Sequence, residues 1–177
     1  MNNLETKYKP EIDKILGKYP DTAKRSAVMP LLFLAQRQEG YISAQSVKEI
    51  AELAGVSSTE VASVVGFYSL FHAEEGGRYR IQVCTDLPCA LRGADKFLEK
   101  LCDYLGVEVG GTTADKLFTV EEVKCLVACH KAPMFQVQGD GKIAYHENQT
   151  IEDARAFIDA VRQQNAVQSS LEKENNQ

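Results

Sequence analysis

Arg78-Tyr79-Arg80-Ile81-Gln82-Val83-Cys84-Thr85-Asp86-Leu87-Pro88-Cys89 is the stretch on which the reading of this chain turns. Tyr79, Ile81 and Val83 alternate with Arg78, Arg80 and Gln82, the two-residue period of a strand with one face buried. Glu74-Glu75-Gly76-Gly77 punctuates the chain just before it. On the C-terminal side, Ala90–Leu105 reads as a helix with Phe97, Leu98, Leu101 and Leu105 inward. Leu117–Lys124 and Met134–Val137 read as strands, and Gly139-Asp140-Gly141 joins the latter to Lys142–Tyr145 as a hairpin. Ile151–Gln164 closes the pattern as a helix carrying Ala154, Phe157, Ile158 and Val161.

On the N-terminal side everything up to about Phe71 reads as helical. Pro10 fits the first turn of a helix running to about Lys18, where a missing N–H costs nothing. Ala27, Leu31, Leu32 and Ala35 recur at helical spacing before Gly40, and Pro30 places a start or a kink nearby. Ser43 caps a third helix to Ala54, stopped by Gly55. Ser57 and Glu60 form a capping box for a fourth, through Val61, Val64, Val65 and Tyr68. The expected class is α+β: an N-terminal helical bundle over residues 1–75, then a thioredoxin-like α/β domain over 76–164 with strand order β-α-β-β-β-α. Residues 165–177 are polar and are expected to be a disordered tail.

With 177 residues the chain is long enough for one large domain or two small ones. Its net charge of −5 argues against a nucleic-acid surface and leaves protein partners open. No apolar run approaches the roughly 18 residues that a membrane span needs, so direct membrane insertion is not expected. Met1–Pro10 is polar, unlike a secretory or transit peptide, which makes the cytoplasm the default compartment. Disulfides are rare there, and five cysteines need another explanation.

Cys84 ends the first strand, and Cys89 follows five positions on. Cys125 ends the next strand, and Cys129 follows four positions on. Loops beyond the ends of a rigid sheet can bring two such pairs to one point. Four thiolates suffice for a [2Fe-2S] cluster, two per iron. Structural zinc is the nearest competitor, although its usual knuckles have two residues between the cysteines. A thioredoxin redox motif, Cys-x-x-Cys, is absent. Spacing alone therefore leaves cluster, zinc and unliganded thiols open. Arg92, Lys124, Lys131 and His130 lie close to the pairs, as cations that would favour a reduced cluster or as ordinary solvated charges. The helix after Cys89 can present its N-terminus there. Pro133 stands where thioredoxin-like folds often carry a cis proline, and a plain turn proline fits equally well. Cys102, inside the helix beside Leu98, Leu101 and Leu105, reads as a buried structural thiol.

Cys84-Thr85-Asp86-Leu87-Pro88-Cys89-Ala90-Leu91-Arg92-Gly93, then Cys125-Leu126-Val127-Ala128-Cys129 with Ala132-Pro133-Met134, resembles the small thioredoxin-like ferredoxin subunit of respiratory NADH:quinone oxidoreductase, complex I. The likeness extends over about residues 8 to 163, through Pro30–Ser43 and Gly66-Phe67-Tyr68-Ser69. It implies a [2Fe-2S] cluster on Cys84, Cys89, Cys125 and Cys129. It also implies docking, through the helical bundle, onto a larger flavoprotein subunit that carries FMN and NADH. In this family the cluster lies on the far side of the flavin from the main electron route, which implies storage of one electron. The setting implied is the cytoplasmic peripheral arm of a bacterial inner-membrane complex. Family members usually carry glycine where this chain has Val127, a position at which a positive φ would strain a β-branched residue.

Two rivals stand beside that reading. Ile50–Ser57 followed by Val61 and Val65 has the layout of a DNA-binding helix-turn-helix. Base and phosphate contacts need Arg, Lys, Asn or Gln, and none occurs between Lys48 and Arg78. The same region offers Phe67, Tyr68, Leu70 and Phe71 as a docking face or as the bundle's own core. A self-sufficient oxidoreductase lacks support, since no G-x-G-x-x-G follows a strand and His72, His130 and His146 stand apart from any catalytic pattern. The isolated chain is expected to catalyse nothing. Equivalent subunits of NAD-linked hydrogenases and formate dehydrogenases share the motifs.

Overall fold

The structure, a computed structural model, describes residues 3–174, with side chains from Leu4 to Gln168. The described residues divide at Glu75/Gly76 into two compact units, each with its own apolar core.

The first unit is helical. Helix α1 (Asn3–Leu16) is broken at Tyr8 (φ −124°, ψ 26°), so Pro10 falls in the first turn of its second piece, where proline is tolerated. A 3-10 helix, Asp21–Ala27, leads directly into α2 (Val28–Glu39), which puts Pro30 in the first turn of α2. Gly40 ends α2 in the left-handed conformation (φ 79°). Ser43 caps α3 (Ala44–Ala54) by accepting the Ser46 amide, and Gly55 stops it. The Ser57–Glu60 capping box opens α4 (Ser58–Phe67), with both reciprocal hydrogen bonds formed. Leu31, Leu32, Ile50 and Val61 are completely buried at the centre of this unit. Phe71 joins that core, whereas Phe67, Tyr68 and Leu70 are exposed.

The second unit is a four-stranded sheet in the order β2-β1-β3-β4: β1 (Tyr79–Cys84), β2 (Phe118–Val123), β3 (Phe135–Gly139) and β4 (Lys142–His146). β1 and β2 are parallel and the other pairs antiparallel. Asp140 (φ 50°) and Gly141 (φ 72°) form the two-residue hairpin turn, whose positive φ values match the twist of the flanking strands. One sheet face carries Ile81, Val83, Phe118, Val120, Phe135 and Val137, packed with Phe97 and Leu101 of α6 (Ala94–Leu105) and Ile158 of α7 (Ile151–Glu174).

Three sequence expectations are corrected. β1 is buried on both faces: Arg80 is 8% and Gln82 4% exposed. A hydrogen-bonded network makes that tolerable, with Arg80 donating to Glu121 (2.6 Å) and Gln82 to the same carboxylate (2.8 Å). Gln136 and Gln138 in turn donate to the Gln82 carbonyl. The helix expected over Ala90–Leu105 is two pieces, a single turn α5 (Leu87–Ala90) and α6, because Gly93 (φ 88°) interrupts the helical backbone. Finally, α7 continues past Asn165 to Glu174, where a disordered tail was expected, and residues 175–177 lie outside the described residues. Asn165 takes part in it, accepting from Arg78 and donating to the Val161 carbonyl.

Candidate functional site: four thiols on two loops

β1 and β2 are neighbours and parallel, with Cys84 opposite Val123, so both chains leave the sheet at the same end. Each releases a cysteine-bearing loop there. Cys84 is the last residue of β1, and Cys89 sits in α5, capped by the Asp86 carboxylate on the Leu87 amide. Cys125 follows β2, and Cys129 begins a short 3-10 helix (Cys129–Lys131). Cys84 and Cys89 are buried, Cys129 is half-buried and Cys125 is exposed. All four thiols are free.

The electrostatics tie the four together. Burial alone would raise the Cys84 thiol, yet it is lowered, because its sulfur accepts from the amides of Asp86, Leu126 and Cys125 and from the Cys89 thiol. The second loop thus donates directly to a sulfur of the first. Cys89 is pushed up to about 12, first by burial and then by its bond to Cys84 and the negative charge of Cys84, Cys129 and Asp86. Cys129 is raised by burial and by its contacts with Cys125 and Cys84. Among the described residues no three His, Cys, Asp or Glu side chains gather tightly enough for a single metal ion. The sulfurs come in two hydrogen-bonded pairs, Cys84 with Cys89 and Cys125 with Cys129.

The basic residues near the pairs have protein partners of their own. Lys124 donates to Thr85 (2.9 Å) and pairs with Glu122, and Thr85 also donates to Glu122 (2.5 Å). Lys131 pairs with Glu147 at 3.6 Å. Arg92 donates from Nε to the Ala132 carbonyl (2.8 Å). His130 is exposed. The Ala132–Pro133 peptide is cis. The N-terminal end near the thiols belongs to the single turn α5, with Asp86 occupying its cap.

Cys102 is apart from this set. It is buried with Leu98, Leu101 and Leu105, and its thiol is raised by burial and by Asp103. A shallow depression lined by Leu98, Cys102, Val107 and Glu122 opens beside α6, and none of the four loop thiols lines it. Val127 has φ 61° and is 85% exposed. Sequence reasoning missed the aliphatic rim of the two loops: Leu87 and Leu91 are exposed, as Val127 is. Their helical-looking context gave no signal of it. α3 and α4 do form a helix-turn-helix about Gly55, but the exposed surface of α4 offers Ser58, Thr59 and Ser63 and no basic group. Among the described residues no single helix is long and apolar enough to cross a membrane.

Known proteins match both the sequence and the fold. The profile of the family described as thioredoxin-like [2Fe-2S] ferredoxin matches residues 12–162. NADH-quinone oxidoreductase subunit 2 of Thermus thermophilus is 41% identical over 129 residues, 73% of this chain and 71% of the relative. A corresponding NADH-quinone oxidoreductase subunit of Rickettsia conorii is 40% identical over 149 residues, 83% of this chain and 86% of the relative. Among solved structures, an NAD+-reducing [NiFe]-hydrogenase in the air-oxidized state aligns over 76% of this chain and 23% of that chain, with a TM-score of 0.64. At 21% identity that likeness speaks for the fold alone. A profile spanning nearly all of both units, and relatives that share two fifths of their residues, leave no ambiguity: the chain belongs to the thioredoxin-like [2Fe-2S] ferredoxin family.

Proposed function

We propose that this chain is an electron-transfer subunit of an NADH:quinone oxidoreductase and holds one [2Fe-2S] cluster on Cys84, Cys89, Cys125 and Cys129. The observation that carries the proposal is the convergence of two loops on one sulfur, Cys84, which draws amides from Asp86, Leu126 and Cys125. The donor set fits the group. Burial first, and the neighbouring thiols second, hold Cys89 and Cys129 in the protonated form, and cations placed between the sulfurs reverse that penalty. Four thiols supplied as two pairs match a [2Fe-2S] cluster, two per iron. A cluster bound there supplies a one-electron couple.

The residues of the chain do the remaining work. The four thiolates bind, and the amides of Asp86, Cys125 and Leu126 direct partial positive charge at Cys84, which favours the more negative redox state. Burial of Cys84 and Cys89 excludes water on one side, while the exposed Cys125 marks the side open to an electron partner. That partner is the FMN- and NADH-carrying flavoprotein of the same complex, and the role is to store or pass single electrons beside the flavin. The exposed Phe67, Tyr68 and Leu70, together with Phe33 (47% exposed), support docking of the helical unit on it. The bacterial relatives support a place in the peripheral arm on the cytoplasmic side of the inner membrane. Those relatives favour a quinone-linked host over an NAD-linked hydrogenase or formate dehydrogenase.

The test is metal analysis of protein purified without oxygen. About two iron and two acid-labile sulfide per chain are expected. Serine at Cys84, Cys89, Cys125 or Cys129 should bleach or shift the spectrum, and Cys102→Ser should leave it alone. Zinc in place of iron, or bleaching by Cys102→Ser with Cys89→Ser silent, refutes the assignment. Co-purification with a flavoprotein tests the host.

A further inference from the structure

Arg92 lies three positions after Cys89, and Ala132 three positions after Cys129. The backbone hydrogen bonds of residues 87–93 are local, running back to Asp86, Leu87, Cys89 and Ala90. Those of the second loop run elsewhere: Lys131 accepts from Asn148, and Pro133 from Gln149. The bond from Arg92 Nε to the Ala132 carbonyl (2.8 Å) crosses between the two. At the opposite side the loops are already fastened where they leave the sheet, by the Thr85 amide on Val123 (3.1 Å) and by the Thr85–Glu122–Lys124 side chains. On the far side, where Cys89 and Cys129 sit, Cys89 and Ala94 pack in a small apolar cluster with Ala128, Ala132 and Met134, and the arginine adds a side-chain hydrogen bond between the two segments.

We propose that Arg92 is a positioning residue for the iron–sulfur site: its Nε–H, donated to the Ala132 carbonyl, fixes the Cys89 segment against the Cys129 segment and so sets the spacing of their sulfurs. This rests on the cluster reading above. The tie is charge-assisted and reaches a carbonyl whose residue is 1% exposed, where a replacement donor from water is hindered.

Three substitutions separate position from charge. Glutamine carries an amide N–H at the same place along its side chain as Arg Nε and has no charge. Lysine keeps the charge and moves its donor one atom further out. Methionine has neither. The full chain, loaded anaerobically, is challenged with an iron chelator, and the EPR spectrum of the reduced protein is recorded. Arg92→Met should lose iron about tenfold faster, as expected for one charge-assisted hydrogen bond, and broaden the signal. Arg92→Gln should stay close to the parent in both, and Arg92→Lys should resemble Arg92→Met in its rate of loss. In the iron-free full chain, amide exchange over residues 125–133 should rise in Arg92→Met and not in Arg92→Gln. Equal rates of iron loss and of exchange in all variants overturn the proposal, as does protection by Arg92→Lys without protection by Arg92→Gln. A parent chain that binds zinc or no metal defeats the cluster reading instead, and the exchange measurement then decides the tie by itself.

Discussion

Val127 shows what a single position costs. Its φ of 61° puts a β-branched side chain in the left-handed region, where the Cβ meets its own backbone, a penalty of about 1–2 kcal/mol. At 85% exposure the isopropyl group recovers little of that by burial. Val127→Gly relieves the strain and loosens the unfolded chain by about 0.4–1 kcal/mol, so a net stabilisation of about 0.5–1 kcal/mol is expected. A denaturant midpoint of the iron-free chain that falls, rather than rises, contradicts this. Glu121 makes the opposite case. It receives Arg80 and Gln82 on a largely buried sheet face, where the Arg80 side chain is 10% and the Glu121 side chain 22% exposed. Glu121→Ala should cost about 2–3 kcal/mol, less than a lone buried pair because Arg80 has further interactions. An unchanged melting curve would show the network to be dispensable.

Among the elements, caps and stacks decide where the chain turns. The Ser57 hydroxyl accepts the Glu60 amide, and Ser57→Ala should destabilise the helical unit by about 1 kcal/mol, read as a lower midpoint in urea. Strand β4, at the sheet edge, is held to the core by His146, which stacks on Phe135 (4.6 Å, 7°) and meets Phe157 of α7 at 4.6 Å. Burial lowers the His146 pKa. The unfolded state therefore binds its proton first as pH falls, and stability declines from about pH 6.5 downward. His146→Phe should remove that slope while leaving the steeper loss at lower pH. There the lowered Asp140, held by Arg78 and Tyr79, and Asp115, held by Thr113, Leu117 and Arg162, take up protons. Identical pH profiles for the two proteins would rule His146 out as the cause.

Taken as one molecule, the chain divides its labour. Residues up to Glu75 enclose one core, and those from Gly76 enclose another and supply all five cysteines. A fragment beginning at Gly76 should fold and take up iron unaided, and aggregation of that fragment with no iron bound would show that it cannot stand alone. Much of this was legible in the residues because it is local. Capping boxes, glycine stops and the alternation of β1 act within a few positions of their causes, and the paired cysteines stand at strand ends that the alternation itself marks. What the residues alone did not reveal is set by neighbours distant in sequence. Arg80 and Gln82 look solvent-facing until Glu121 and Gln136 from other strands bury them. Phe71 and Phe67 look alike in sequence, and packing alone sends one into the core and leaves the other outside. The left-handed Val127, the break at Gly93 and the reach of Arg92 to Ala132 exist because parallel strands deliver two loops to one place. Elements and sulfur donors follow from periodicity and residue chemistry, so the order of the residues was enough to specify them. How the donors meet depends on contacts between segments some forty residues apart, and only the folded chain settles it.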